Sequence, residues 1–183
     1  WEFVPFRFDR ALLFGINTHA PSAISVIEEA ERQADCVECL ALLSDGERGC
    51  SFQDFTEDQI YASIGKVPEA ARRYCLHIIG ENARVLSCVD ALRRSDAHWV
   101  GKLLSESHES LRDLYEGSSP EVDWIVKHSS ALAGVHGARL AGGSTGTCAL
   151  VLADGDAENG MRGLLAEYER TFGFHPIVLE CSP

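Results

Sequence analysis

Val135-His136-Gly137-Ala138-Arg139-Leu140-Ala141, then Gly142-Gly143-Ser144-Thr145-Gly146-Thr147, then Cys148-Ala149-Leu150-Val151-Leu152-Ala153: two apolar runs flank a glycine-rich turn. The runs read as strands, and the turn between them makes an antiparallel hairpin. Downstream, residues 157–172 carry Leu164, Leu165, Tyr168 and Phe172 at helical spacing, with Gly173 as the stop, and His175 to Cys181 reads as a final strand. Upstream the chain is mostly helical. Residues 11–16 form a short apolar strand, and Ala23, Val26, Ile27, Ala30, Ala34, Val37, Leu40 and Ala41 then predict the buried stripe of an amphipathic helix. Residues 45–55 read as a loop, and Thr56-Glu57-Asp58 caps a short helix through Ile64. Pro68 opens the longest helix, whose predicted seam is Ala71, Cys75, Ile78, Asn82, Val85, Val89 and Leu92. Asp96 caps another helix, and Ser119-Pro120 opens a shorter one reaching about Ala131. Four strands with helices between and beside them predict one α+β domain over residues 1–183, built on a largely antiparallel sheet covered by helices.

Composition removes several functions. The 183 residues hold 16 Lys+Arg against 28 Asp+Glu, a net charge of −12. Phosphate-backbone binding draws its affinity from clustered cations, so no nucleic-acid or anionic-membrane surface is expected. No apolar run approaches the ~20 residues of a membrane span. Seven cysteines, an odd number scattered through apolar patterns, read as buried thiols in a reducing cytoplasm. Cys36-Val37-Glu38-Cys39 has CxxC spacing but lies inside a helical pattern, with no second pair to complete a zinc site, and reads as structural. The chain starts at Trp1 and its one methionine is Met161, so it is expected to be part of something longer.

Local chemistry is sparse. Gly142, Gly143 and Gly146 permit positive φ and uncover backbone N–H groups that could cradle an anion, yet no Lys-Ser/Thr follows as in a phosphate-binding loop that opens a helix. Taken alone, a hairpin turn is the simpler reading. Ser107-His108-Glu109 cannot form a triad, because adjacent helical residues point apart. Glu81 and Arg84, three apart, predict an ion pair. Asp154-Gly155-Asp156 lacks the later ligands of a calcium loop and reads as a strand-to-helix connection.

Longer segments say more. His77-Ile78-Ile79-Gly80-Glu81-Asn82-Ala83-Arg84-Val85, then Ser107-His108-Glu109-Ser110-Leu111-Arg112-Asp113-Leu114-Tyr115-Glu116, then Ser119-Pro120-Glu121-Val122-Asp123-Trp124, and the run from Gly137 to Cys148 follow one another in order. Together they resemble the C-terminal half of galactokinases, members of the GHMP small-molecule kinase family, from about Ala11 to Cys181. The resemblance implies a GHMP C-terminal domain whose N-terminal ATP-binding partner half, with the phosphate loop and catalytic residues, is absent from this chain. It implies that the intact protein phosphorylates galactose, or a related sugar, at the anomeric hydroxyl using ATP and Mg²⁺. The fragment alone would bind neither cofactor, would not turn over, and would contain no catalytic or metal-ligating residue. Gly142, Gly143, Ser144 and Gly146 would line the phosphate side of the cleft, and Glu29 and Arg32 the sugar side. Two departures qualify the match. The family's Gly-Gly-Gly-Phe-Gly-Gly-Cys becomes Gly142-Gly143-Ser144-Thr145-Gly146-Thr147-Cys148, and Glu29 stands where a sugar-contacting Tyr is expected. The alternative reading is therefore a non-catalytic relative acting as a sugar-sensing or protein-interaction module. An apolar face bared by the missing half could also drive self-association.

Overall fold

The computed structural model describes residues 3–47, 49–142 and 146–181. Strand β1 (Ala11–Asn17) leads to helices α1 (Val26–Leu43), α2 (Glu57–Ala62), α3 (Glu69–Arg93), α4 (Ala97–Asp113) and α5 (Pro120–Ser129). The chain then forms β2 (Val135–Ala141), β3 (Cys148–Asp154), α6 (Glu158–Phe172) and β4 (Ile177–Cys181). The strands make one antiparallel sheet in the order β2-β3-β1-β4.

The helix starts follow local chemistry. The Ser25 hydroxyl accepts from the Glu28 N–H while the Glu28 carboxylate accepts from the Ser25 N–H, and Thr56 with Gln59 repeats this reciprocal cap. Those bonds to Ser25 hold the Glu28 carboxyl below its usual range. Asp96 accepts from the Trp99 N–H at the start of α4, and Ser119 caps α5 ahead of Pro120. Gly173 adopts φ 76° to end α6. Between α1 and α2, where a plain loop is expected, Phe52–Asp54 makes one 3-10 turn.

Pairing register divides the sheet into two faces. Phe14, Ile16, Leu140, Ala149 and Val151 point to the side covered by α1, α3, α5 and α6, forming the main core with Ile125, Met161 and Tyr168. A smaller core lies on the other side, where Ala91 and Val100 cover Ala11 and Leu152. Helix α4 crosses β2 so closely that a Cβ on Gly137 would lie 1.8 Å from the Gly101 carbonyl oxygen. That approach lets α4 side chains serve the sheet edge. The Ala138 N–H donates to Ser105 Oγ (3.4 Å) and the Leu140 N–H to His108 Nδ1 (3.3 Å). His108 Nε2 then faces Asp123 Oδ1 on α5 at 3.1 Å.

Two predicted stripes are corrected. On α1 the buried residues are Cys36 and Cys39, whereas Val26, Ile27 and Val37 of the expected stripe are exposed. Helix α1 turns its thiols toward Cys75 of α3 because that helix offers a small buried side chain there; donating to Cys36 and Cys39 pushes the Cys75 thiol well up. On α3 the predicted seam holds at Ala71 and Cys75 but fails at Val85, which is 59% exposed, and burial falls also on Tyr74, Leu76, His77, Ile79 and Gly80. The cause is that α3 runs between the two cores, so no one stripe of it stays covered along its whole length.

Candidate functional site

The glycine turn and the start of α1 gather at one end of the sheet. Asn17, the last residue of β1, pairs with Cys148, the first of β3, so β1 ends beside the turn, and residues 18–25 carry the chain from there to α1. Gly142 and Gly146 frame the turn; Gly143 and Ser144 lie outside the described residues. Gly142 has φ 88°, which only glycine adopts without strain. A Cβ on Gly146 would sit 2.0 Å from the Ala141 carbonyl oxygen, so the chain can fold back here only without a side chain. The Thr147 carbonyl accepts from both the N–H (3.1 Å) and hydroxyl (2.6 Å) of Thr18. Tyr168 of α6 donates to the Thr18 carbonyl (3.1 Å), tying the returning strand, the exit of β1 and α6 into one frame.

Glu29 and Arg32 occupy the first turns of α1 and share a partner that sequence spacing did not reveal. The Tyr115 hydroxyl donates to Glu29 Oε1 (3.1 Å), which also accepts from Gln33 Nε2 (3.1 Å). Arg32 donates to the Tyr115 carbonyl, and its guanidinium carbon lies 5.4 Å from the Tyr74 ring centroid and 5.6 Å from that of Tyr115. A cation between two aromatic rings gains from the ring quadrupoles and loses rotamer freedom. Burial first, then the neighbouring Glu29 carboxylate, push the Tyr115 hydroxyl well above its ordinary pKa. Beside it His77 donates to or accepts from Ser110 Oγ (2.9 Å), and burial lowers its pKa to about 4.

Glu81 is the hinge of a third group. The predicted ion pair with Arg84 forms at 2.5 Å, and the same carboxylate accepts from Ser107 Oγ (2.7 Å) and Arg139 (3.3 Å). Burial pushes Glu81 up, but the bonds from Arg84 and Ser107 and the Arg139 charge outweigh it and leave the carboxyl below its usual range. Arg139 also donates to the Leu140 carbonyl (2.9 Å), so the strand entering the glycine turn is anchored to α3 and α4. Ser107 and His108 do point apart, one to Glu81 and the other to β2. Tyr115, Tyr74 and Arg139 were missing from the site read in the sequence. Arg139 stands three residues before Gly142, a proximity that could have marked it, whereas nothing in the spacing joins Tyr115 to Arg32. Asp154 and Asp156 serve structure, facing His136 (3.0 Å) and Arg10 (3.4 Å) at the strand-to-helix connection.

An antiparallel sheet of order β2-β3-β1-β4, backed by helices and carrying a glycine turn at one end, defines the C-terminal domain of a GHMP kinase. Residues 88–170 belong to that family, matching its model for GHMP kinases C terminal. Within the family the chain is similar to galactokinases. The galactokinase of Thermotoga petrophila is 35% identical over 182 residues, covering 97% of this chain and 50% of the relative. That of Haemophilus influenzae strain Rd is 30% identical over 170 residues, covering 91% and 44%. The chain thus spans about half the length of the galactokinases it matches. The crystal structure of Lactococcus lactis galactokinase complexed with galactose superposes with a TM-score of 0.88 at 27% identity, over 98% of this chain and 47% of that one. Streptococcus pneumoniae phosphomevalonate kinase shares the fold, with a TM-score of 0.58 at 11% identity over 96% of this chain and 42% of that one.

Proposed function

We propose that this chain is the C-terminal lobe of a galactokinase-like sugar kinase, in which ATP phosphorylates the anomeric hydroxyl of galactose. The observation that carries the reading is the superposition of nearly the whole chain on a galactokinase crystallised with galactose, at a TM-score of 0.88. Phosphoryl transfer is a matter of in-line positioning and charge stabilisation, and a lobe contributes by shaping one wall of a cleft. Gly142, Gly143, Ser144 and Gly146 supply the wall beside the phosphates. The need for glycine at 142 and 146 fits a backbone that approaches an anion through N–H groups, as suits a chain of net charge −12. Glu29 accepts a sugar hydroxyl, and Arg32, fixed by Tyr74 and Tyr115, sets the floor beneath it. ATP and Mg²⁺ are assigned to the half of the relatives' length that this chain does not span, where the resemblance puts the phosphate loop. Among the described residues no group of three His, Cys, Asp or Glu is placed to hold a metal ion. No helix among the described residues is long and apolar enough to cross a membrane. Free thiols at its cysteines suit the cytoplasm.

The test is a fusion. The half of Thermotoga petrophila galactokinase that this chain does not match is placed ahead of it, and galactose phosphorylation is followed by coupled ADP release. The fusion turns over and the 183-residue chain alone does not. Turnover by the chain alone, or none by a folded fusion, refutes the reading. Glu29 favours one second reading, because it stands in place of a sugar-contacting Tyr and is already engaged by Tyr115 and Gln33. A non-catalytic sugar sensor would bind galactose in the fusion without releasing ADP. Alone, the chain self-associates through its bare apolar residues, and sedimentation that stays monomeric at every concentration contradicts this.

A further inference from the structure

Among the described residues the partly buried arginines are met by oxygens, with one exception. Arg32 donates to the Tyr115 carbonyl, Arg73 to Glu116 (2.7 Å), and Arg84 and Arg139 to Glu81. Arg72 has no hydrogen bond and no ion pair among the described residues, and its Nε is closed off from solvent. Arg73 Nε, on the next residue, is likewise buried without an acceptor. A guanidinium cannot shed its charge, so a missing acceptor leaves each such N–H short of a bond.

Both side chains line one open cavity of about 590 Å³. Glu69, Arg72, Arg73 and Leu76, three and four residues apart, form its wall on α3. Ile60 and Tyr61 of α2 and Leu114, just past α4, complete it. Ile60 and Leu76 are buried, whereas Tyr61 is 54% exposed. Mostly apolar walls with a few polar groups are the usual form of a small-molecule site. Charge narrows the ligand. Glu116 already answers Arg73, and Glu69 makes no ion pair with Arg72 among the described residues, so the guanidinium left to serve a ligand is that of Arg72. A guanidinium fork offers parallel N–H groups to the paired oxygens of a carboxylate or phosphate. On a chain of net charge −12, the apolar walls must supply much of the affinity.

We propose that this cavity binds a small organic oxyanion, a phosphate or carboxylate carried on a flat apolar group. Its oxygens sit on Arg72 and its apolar group lies against Tyr61, Ile60, Leu76 and Leu114. The cavity shares no lining residue with Glu29, Arg32 or the glycine turn, so the proposal stands whether or not the intact protein phosphorylates a sugar.

Isothermal titration calorimetry of the 183-residue chain tests it with phenyl phosphate, benzoate and inorganic phosphate. At least one of the two aromatic anions binds at one site with a Kd below about 1 mM, and the tighter of them names the oxyanion. Inorganic phosphate, which has no apolar group to bury, binds at least about tenfold more weakly. Arg72→Gln weakens the aromatic ligand at least about tenfold. Arg112→Gln, at an exposed arginine held by Asp113, leaves binding unchanged. Thermal unfolding separates a ligand site from a contact of the fold. Arg72 holds nothing in the fold, so Arg72→Met keeps or raises the midpoint of the unliganded chain. A midpoint lowered by more than about 2 °C means that Arg72 is bonded within the protein, and overturns the proposal. So does the absence of saturable binding by either aromatic anion up to about 10 mM, or binding unmoved by Arg72→Gln. Inorganic phosphate binding as tightly as the aromatic anions overturns it too. In a folded fusion with the Thermotoga petrophila half the binding persists, and its loss there, by showing Arg72 occupied from elsewhere in the protein, overturns it equally.

Discussion

Replacing Gly137 by alanine strikes the crossing of α4 over β2 and, through it, the strand that leads to the glycine turn. The added methyl would sit 1.8 Å from the Gly101 carbonyl oxygen and 2.4 Å from its carbon. Close carbon–oxygen contacts settle near about 3.3 Å, so helix and strand must separate by roughly 1.5 Å. The neighbouring bonds from Ala138 to Ser105 and from Leu140 to His108 already span 3.4 and 3.3 Å and do not survive that shift. Each buried N–H left without a partner costs about 1–3 kcal/mol. Strained packing adds about 1–3 kcal/mol. The sum, about 3–9 kcal/mol, is a large part of the 5–15 kcal/mol that ordinarily holds a domain. At about 2–4 °C per kcal/mol for a chain of this size, thermal unfolding monitored by far-UV circular dichroism falls by at least about 6 °C. Gly163→Ala is the control, because a methyl added there, in the middle of α6, meets nothing within 4 Å. It raises stability by up to about 1 kcal/mol through helix propensity. A Gly137→Ala midpoint within about 2 °C of the parent would show that the crossing is looser than its geometry, and would refute the reasoning.

Three other outcomes are expected. His77 has its pKa lowered to about 4 by burial, against an ordinary value of 6.5, so the unfolded chain takes up its proton first as pH falls. Stability is full above pH ~6.5 and declines toward pH ~4, by up to about 3 kcal/mol, and His77→Gln flattens that slope in urea titrations across the range. Glu81→Gln loosens Arg84, Ser107 and Arg139 together and costs about 2 kcal/mol in urea unfolding. Combined with Arg139→Gln, the two losses fall short of additivity by at least about 0.5 kcal/mol, and strict additivity would mean that the pair is not coupled. Tyr115→Phe removes the bond to Glu29 and costs about 1 kcal/mol near neutral pH. Because the folded Tyr115 resists ionisation, the parent loses stability above pH ~10, where the unfolded tyrosine ionises; a variant with the same alkaline slope would contradict the assignment.

The hairpin around the glycine turn, the four strands and the helix starts at Thr56, Asp96 and Ser119 were legible because they depend on neighbours in the chain. Turn glycines, alternation and capping side chains act within a few residues of themselves. The buried sides of α1 and α3 were not legible. Val26 and Val37 are as apolar as any core residue, but α1 turns Cys36 and Cys39 inward because Cys75 waits there on another helix. At the site, the glycine requirement at 142 and 146 could be read from composition. The grip of Tyr74 and Tyr115 on Arg32 could not, since the Tyr115 contact joins residues 83 apart.

The closure of the β2 edge by Ser105 and His108 has a consequence for assembly. In the order β2-β3-β1-β4, one border of the sheet has its Ala138 and Leu140 N–H groups occupied by helix side chains, while among the described residues β4 pairs only with β1. Strand addition can therefore proceed from the β4 border alone. Two such molecules meeting border to border would use up the available hydrogen-bonding row of both, and a third would find none. The folded domain is in this sense a chain terminator: it can form pairs, but it cannot seed an endless ribbon of sheets unless α4 first comes away from β2.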